Sequence, residues 1–304
     1  MKDDEYDFIA RLVKEQSGLA LPADKHYLVE SRLAPVAREA GLGDLSELVR
    51  QLRRSDAGGV LRAAVVEAMT TNESFFFRDK LPFEYFSGVM MPHLLEARAA
   101  KRHIRIWCAA ASTGQEPYSL AICLQEMGAR LSGWRIDILG TDISSQALDR
   151  AQAGRYTPFE VQRGLPPHLL TKYFVRKQER SGDAWEILPA IRSMVTLQKF
   201  NLLDRFTGLG VFDIVFCRNV LIYFDPQTKA DVLERIAQVM PPDGFMMLGA
   251  AETIVGLTEA FRPVPTRRGL YNPAAGKPAV GAPPARADSA RRLPGKADVI
   301  IPVR

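Results

Sequence analysis

Arg105–Ser119 reads RIWCAAASTGQEPYS, and Ile138–Ser144 reads ILGTDIS. Ile106, Trp107 and Cys108 form the apolar run of a short buried strand, followed by Ala, Ser, Thr and Gly, residues small enough to let the backbone approach a ligand. A helix is expected to begin near Glu116-Pro117, since proline is well tolerated in a first helical turn. The next strand, Asp137 to Gly140, leads into Asp142. Strand, small-residue turn, helix, strand and carboxylate is the order in which a doubly wound α/β sheet holds a nucleoside: the turn allows close approach, and the acid accepts from the two ribose hydroxyls. Only Gly114 is a glycine in the turn, so the dinucleotide glycine pattern is absent. Taken alone, these two segments are equally well read as a plain strand-turn-helix.

Four further segments decide between the readings. They are MTTNESFFFR (Met69–Arg78), FNLLD (Phe200–Asp204), FDIVFCRNVLIYFDP (Phe212–Pro226) and LGAAETI (Leu248–Ile254). With the first two, in this order, they resemble the chemotaxis receptor methyltransferase family, often called CheR. Strings as long as CRNVLIYF and AAASTGQEPYS have no generic structural reason to occur together. The resemblance runs from the N-terminal helices to about Tyr271. It implies a small N-terminal all-α domain, then a doubly wound methyltransferase domain with an inserted antiparallel β-subdomain. It also implies S-adenosyl-L-methionine as cofactor, S-adenosyl-L-homocysteine as product, and glutamate side chains of chemoreceptors as substrate.

Composition agrees with a soluble globular chain of about two domains: 304 residues, 47% hydrophobic and 25% charged. The net charge of +5 suggests nucleic acid only until it is located. From Pro273 onward six basic residues face two acidic ones, so four of the five net charges lie in the tail and the body is nearly neutral. That argues against a duplex-binding surface. Cys108, Cys123 and Cys217 are odd in number, sit in apolar contexts and read as buried free thiols of a reducing compartment. No zinc spacing is present, so no metal is expected. The N-terminus MKDDEYDF is acidic, and no apolar run approaches the roughly 18 residues needed to cross a bilayer. A cytoplasmic monomer without membrane insertion is expected.

Four helices are expected in residues 1–69, at about 4–17, 24–40, 44–54 and 57–69, with Pro35 disturbing the second and Asp44/Glu47 opening the third. Lys25, Arg32 and Arg38 give a mildly basic face, which in the resembled family would meet the acidic receptor helices. Residues 70–80 are a linker that contributes to the cofactor site, and Phe75, Phe76 and Phe77 read as core anchors. The methyltransferase domain is placed at 81–272. Its first helix, Leu81 to Ala97, is interrupted by Pro92, and its β-subdomain, at about 156–200, has a hairpin around the turn Gln178 to Asp183 and a third strand from Met194 to Phe200. Asp225-Pro226 caps the next helix, and Arg268 to Tyr271 is a last strand at the sheet edge. Residues 273–304, rich in Pro, Gly, Ala and basic residues, read as a disordered tail.

The resemblance carries roles onto individual positions. Asn72, Ser74 and Arg78 would reach the amino-acid end of the cofactor, and Glu116 its ammonium. Asp142 would hold the ribose, Asn201 and Leu202 the adenine, and Arg218 with Asn219 the floor near the sulfonium. Arg78 and Tyr223 would flank the transferred methyl as the catalytic pair. Plain structural readings stand beside these: a helix N-terminal charge for Glu116, an N-cap for Asp142, a turn for Asn201, and strand-end packing for Tyr223 with Phe224. A receptor C-terminal peptide can add to the exposed hairpin edge in some members of the resembled family. Two other functions compete, a cofactor-binding scaffold without catalysis and a small-molecule methyltransferase.

Overall fold

Ile104, Ile106 and Cys108 are buried in one apolar cluster and Trp107 with Ala109 in another, because consecutive residues of a strand point to opposite faces and both faces are covered. In this computed structural model, which describes residues 1–54, 59–179 and 182–274, the strand is β1, His103–Cys108. The remaining strands are β2 (Arg135–Asp142), β3 (Arg155–Tyr156), β4 (Phe174–Glu179), β5 (Gly182–Ile187), β6 (Val195–Lys199), β7 (Ile214–Cys217), β8 (Phe245–Leu248), β9 (Phe261–Pro263) and β10 (Leu270–Pro273). Seven make one sheet in the order β6-β2-β1-β7-β8-β10-β9. From β6 to β8 the pairing is parallel, while β10 is antiparallel to both β8 and β9. The chain moves outward from β1 to β2 and β6, then returns to β7, so the order reverses beside β1. A crevice outside the carboxyl ends of the strands is expected at that reversal.

The helix after β1 spans Gln115–Met127 and starts behind Gly114. Gly114 has φ +93°, and a Cβ there would stand 2.9 Å from both Ala151 and Tyr118, so the sharp turn requires glycine. Helix Pro226–Gln238 covers the other face, with the Asp225 carboxylate accepting from the Thr228 N–H as expected for an N-cap. Leu81–Ala97 is not broken at Pro92. Its middle, Phe86–Met90, is a π-helical turn in which the Met91 N–H reaches back to the Phe86 carbonyl. The widened turn accommodates a ring that would crowd an α-helical carbonyl.

The N-terminal helices are α1 (Asp3–Ser17), α2 (His26–Glu39), α3 (Leu45–Arg53) and α4 (Gly59–Met69). Ile9, Val13, Val29, Leu33, Leu48, Leu52 and Val65 interlock in a core of their own. Asp44 accepts from the Glu47 N–H at 2.7 Å, which starts α3 where the D-x-x-E pattern placed it. Pro35 lies inside α2.

Several expectations change. Met194–Phe200 does supply a strand, but β6 joins the large sheet beside β2. The small sheet is β3-β5-β4, and its third member is the two-residue β3. The last strand is not at the edge, because β10 lies between β8 and β9. Of the three phenylalanines only Phe76 is fully buried, while Phe75 lines a cleft. Arg32 leaves the basic face, since its guanidinium donates to the Met69 and Thr70 carbonyls at 2.7 and 3.1 Å. The expected tail lies outside the described residues from 275 on. Among the described residues no helix is long and apolar enough to cross a membrane.

Candidate active site

A cleft opens at the carboxyl ends of β1, β2, β6 and β7, enclosing about 880 Å³ when its solvent-open mouth is included. That is the place expected of a small-molecule site in a sheet of this order. All ten residues singled out from the sequence line it: Asn72, Ser74, Arg78, Glu116, Asp142, Asn201, Leu202, Arg218, Asn219 and Tyr223.

Asp142 ends β2. Its Oδ2 accepts from the Ser112 N–H at 2.8 Å and its Oδ1 from the Ser144 N–H at 2.9 Å. The N-cap is Ser144, whose Oγ accepts from the Ala147 N–H at 3.0 Å. Asp142 is therefore not the N-cap, although its Oδ1 takes the N–H of the N-cap residue, and each of its oxygens keeps a further lone pair for a donor. Burial pushes this carboxyl above the usual range, while the Ser144 and Ser112 N–H groups pull it back down. Ser112 adopts φ +49°, a left-handed conformation that turns its N–H toward Asp142.

Glu116 sits in the first turn of its helix, where the dipole favours an anion, and its Oε2 accepts from Arg218 Nη1 at 2.7 Å. Burial raises the Glu116 pKa and Arg218 opposes the rise. Arg218 is 5% exposed, and its Nη2 also donates to the Arg78 carbonyl at 2.8 Å and to Asp79 Oδ2 at 2.7 Å. Its Nε has no partner. A buried donor left unpaired at the cleft is what a ligand acceptor would satisfy. Beside it, burial lifts the Cys108 and Cys217 thiols well above their ordinary value. They serve as packing, not as nucleophiles.

Asn201 lines the cleft, but its amide is engaged on both ends: Oδ1 accepts from the Leu203 N–H at 3.0 Å and Nδ2 donates to the Gln16 carbonyl at 2.6 Å. The turn reading of this residue holds locally. Leu202 is buried below it. Tyr223 and Phe224 both line the cleft and both pack on one apolar cluster with Leu221 and Val232, but Phe224 is 6% exposed whereas Tyr223 is only half-buried.

The helical domain supplies part of the same cleft, which the sequence reading missed. Ser17 and Leu19 line it. Leu19 bridges Phe224, and the Ala20 N–H donates to the Tyr223 carbonyl at 2.8 Å. Glu67 of α4 accepts from the Ser144 hydroxyl and from the Ser145 N–H at 2.9 Å, just beyond Asp142. Asn72 joins them, donating to Ser144 Oγ at 3.2 Å while its carbonyl accepts from Ser112 Oγ at 3.0 Å. The Arg78 guanidinium donates to the Glu73 carbonyl at 3.1 Å and lies 5.3 Å from the Phe75 ring. Arg163, paired with Glu73 at 2.7 Å, approaches that ring to 4.3 Å. Glu252, in a motif without an assigned role, bonds the backbone beneath Asn219. No local pattern marks any of these contacts.

The donor set fits S-adenosylmethionine. It offers an acid with spare lone pairs for a diol, a buried acid for an ammonium, an unpaired guanidinium N–H for an acceptor, and apolar Ile143, Phe200 and Leu202 beside them. Among the described residues no group of three or more His, Cys, Asp and Glu could hold a metal ion. Fold and cleft define an S-adenosylmethionine-dependent methyltransferase. Residues 72–270 match the CheR methyltransferase, SAM binding domain, and residues 4–70 match the CheR methyltransferase, all-alpha domain. The chain belongs to the CheR family of chemotaxis methyltransferases.

Relatives agree along nearly the whole length. Chemotaxis protein methyltransferase 1 of Pseudomonas aeruginosa is 40% identical over 271 residues, covering 88% of this chain and 96% of that protein. Chemotaxis protein methyltransferase 1 of Vibrio cholerae is 40% identical over 276 residues, with 89% and 96% covered. The chemotaxis protein methyltransferase of Salmonella typhimurium is 32% identical over 265 residues, with 86% and 88% covered.

Proposed function

We propose that this enzyme methylates glutamate carboxylates on the cytoplasmic domains of chemoreceptors, giving glutamyl methyl esters and S-adenosylhomocysteine. The observation that carries the reading is the convergence of the ten residues, drawn from segments far apart in sequence, on one cleft between the helical domain and the sheet. In this reading residues 1–69 face the receptor, 70–80 link and complete the site, and 81–272 form the methyltransferase domain. It works as a cytoplasmic monomer with no nucleic-acid partner.

When bound, S-adenosylmethionine supplies an electrophilic methyl on a sulfonium. The protein's part is alignment and desolvation. Asp142 accepts from the ribose hydroxyls, Glu116 from the ammonium, and Leu202 with Asn201 borders the adenine. Asn72, Ser74 and Arg78 border the amino-acid end, and Arg218 with Asn219 the reacting end. Arg78 and Tyr223 hold the incoming carboxylate, one by charge and one by hydroxyl. A glutamate carboxylate has an ordinary pKa of about 4.3 and is already ionised at neutral pH, so no general base is needed. In keeping with that, none of the residues lining the cleft is a histidine.

The outer edge of β4, with β5 on its other side, supports a second receptor contact in which an extended C-terminal peptide adds as a strand. Unchanged amide shifts across 173–200 on titration with receptor C-terminal peptides would remove that contact. The main reading is tested with methyl-labelled cofactor and receptor-containing membranes. Label on the receptor that alkali releases as methanol is the expected result. Label on a small molecule, or no label from protein that still binds S-adenosylhomocysteine, would sink it.

A further inference from the structure

Glu252 bonds more backbone than any other side chain around the cleft, and nothing in the proposed chemistry uses it. Its Oε1 accepts from the N–H groups of Val220, Leu221 and Ile222 at 3.0, 2.8 and 3.3 Å. Its Oε2 accepts from the N–H groups of Asn219 and Gly249 at 2.8 and 2.7 Å. The first four belong to the turn that follows β7, a segment that ends in the 3-10 helix Leu221–Tyr223. N–H groups at such a start have no partner within the turn itself. One carboxylate therefore does for this turn what a capping residue does for a helix, from a loop about thirty residues further on in the chain.

Two features show that the arrangement is built closely. Asn219, which lines the cleft, adopts φ +59°, a left-handed conformation unfavourable for a residue with a Cβ. Gly249 comes so near that a Cβ there would stand 2.7 Å from Glu252 Oε2 and 2.9 Å from Asn219 Nδ2. Only glycine lets the loop after β8 carry Glu252 under the turn. At its far end the turn is tied to the helical domain, where the Tyr223 carbonyl accepts from the Ala20 N–H at 2.8 Å. Tyr223 is thus fixed from both sides.

We propose that Glu252 is the positioning residue of the transfer site, holding Asn219 in its left-handed conformation and aiming Tyr223 at the incoming carboxylate. It touches neither cofactor nor substrate. This rests on the proposed role of Tyr223 and adds the residue through which that role is exerted. A glutamine has the same shape but one acceptor oxygen, and its NH₂ would face N–H donors.

The experiment combines Glu252→Gln, Tyr223→Phe and the double variant. In wild-type protein the amides of residues 219–222 are expected to exchange slowly with deuterium, because each donates to Glu252. Glu252→Gln is expected to speed those four selectively, leave S-adenosylhomocysteine affinity within about three-fold, and lower kcat about ten-fold or more, without a matching rise in KM for the cofactor. Tyr223→Phe should then cost little on top of Glu252→Gln, because a misaimed hydroxyl has nothing left to lose. Full additivity of the two losses, or unchanged exchange at 219–222 in Glu252→Gln, would overturn the proposal. If Glu252→Gln does not fold, Glu252→Asp, which keeps the charge but is one methylene short, carries the same measurements. A wild-type enzyme that labels no receptor would strike the glutamate reading instead, while the exchange result would stand by itself.

Discussion

One wall of the cleft, with Ala109, Ala110, Ser112, Glu116, Asp142 and Arg218, stands on the ends of buried parallel strands. The other, with Ser17, Leu19, Thr70 to Phe75 and Arg78, belongs to the helical domain and the linker, which join the sheet domain through directional polar contacts as well as through the packing of Leu19 and Phe76. Lys14 pairs with Asp225 at 2.7 Å, Asn201 reaches the Gln16 carbonyl, and Glu67 holds the Ser145 N–H. Apolar burial tolerates small shifts, whereas hydrogen bonds fail within about an ångström and respond to salt and pH. Loss of a buried group in the first wall should therefore cost much stability or ligand affinity, and loss of a polar tie of the second should bring smaller changes that depend on salt and pH.

The largest effect should come from the first wall. Arg218→Met leaves Glu116 buried without its counter-charge, which is expected to cost about 3 to 5 kcal/mol of stability. Thermal denaturation measures it, and a variant as stable as wild type would dissolve the contrast between the walls. Asp142→Ala should weaken S-adenosylhomocysteine binding by about 1.5 to 3 kcal/mol, roughly ten- to more than hundred-fold, as read by calorimetry. Undiminished binding would return Asp142 to a purely local role. Tyr223→Phe should lower turnover by about 1 to 2 kcal/mol of barrier with product affinity unchanged.

Smaller effects test the polar ties. Glu67→Ala removes the carboxylate at the N-terminus of the helix Ser145–Ala153 and should cost about 1 kcal/mol or less of stability. S-adenosylhomocysteine affinity should become more salt-sensitive in that variant, and an identical salt dependence would argue that the domains do not communicate through Glu67. The pH response should differ in sign between the walls. Asp225 is held at about 2, down from 3.8, by Lys14 first and then by the Thr228 N–H. Its contribution is complete above 3.8 and is lost as the pH falls through about 2. Asp142 and Glu116 are raised, so theirs is complete below the ordinary carboxyl range and lost as the pH rises through their folded values. Lys14→Met should let Asp225 titrate closer to 3.8 and move acid unfolding to slightly higher pH.

By itself the sequence determined the strand-turn-helix around Gly114, the caps at Asp44 and Asp225, the helical domain, and the ten residues that meet in the cleft. Each of these is written in neighbouring residues: a turn needs its glycine, a helix start its oxygen acceptor, and each motif is a continuous string. Only the tertiary structure decided which sheet receives β6, because a short strand carries no mark of its neighbour and pairing with β2 rather than the hairpin depends on where the chain returns. The same holds for β10, which β9 covers, and for Arg32, drawn from an apparent basic face to the linker carbonyls. Glu67 and Glu252 were silent for the same reason. Each bonds backbone amides distant in sequence, and an amide N–H is the same group at every residue except proline, so no side-chain pattern could announce which carboxylate would reach it.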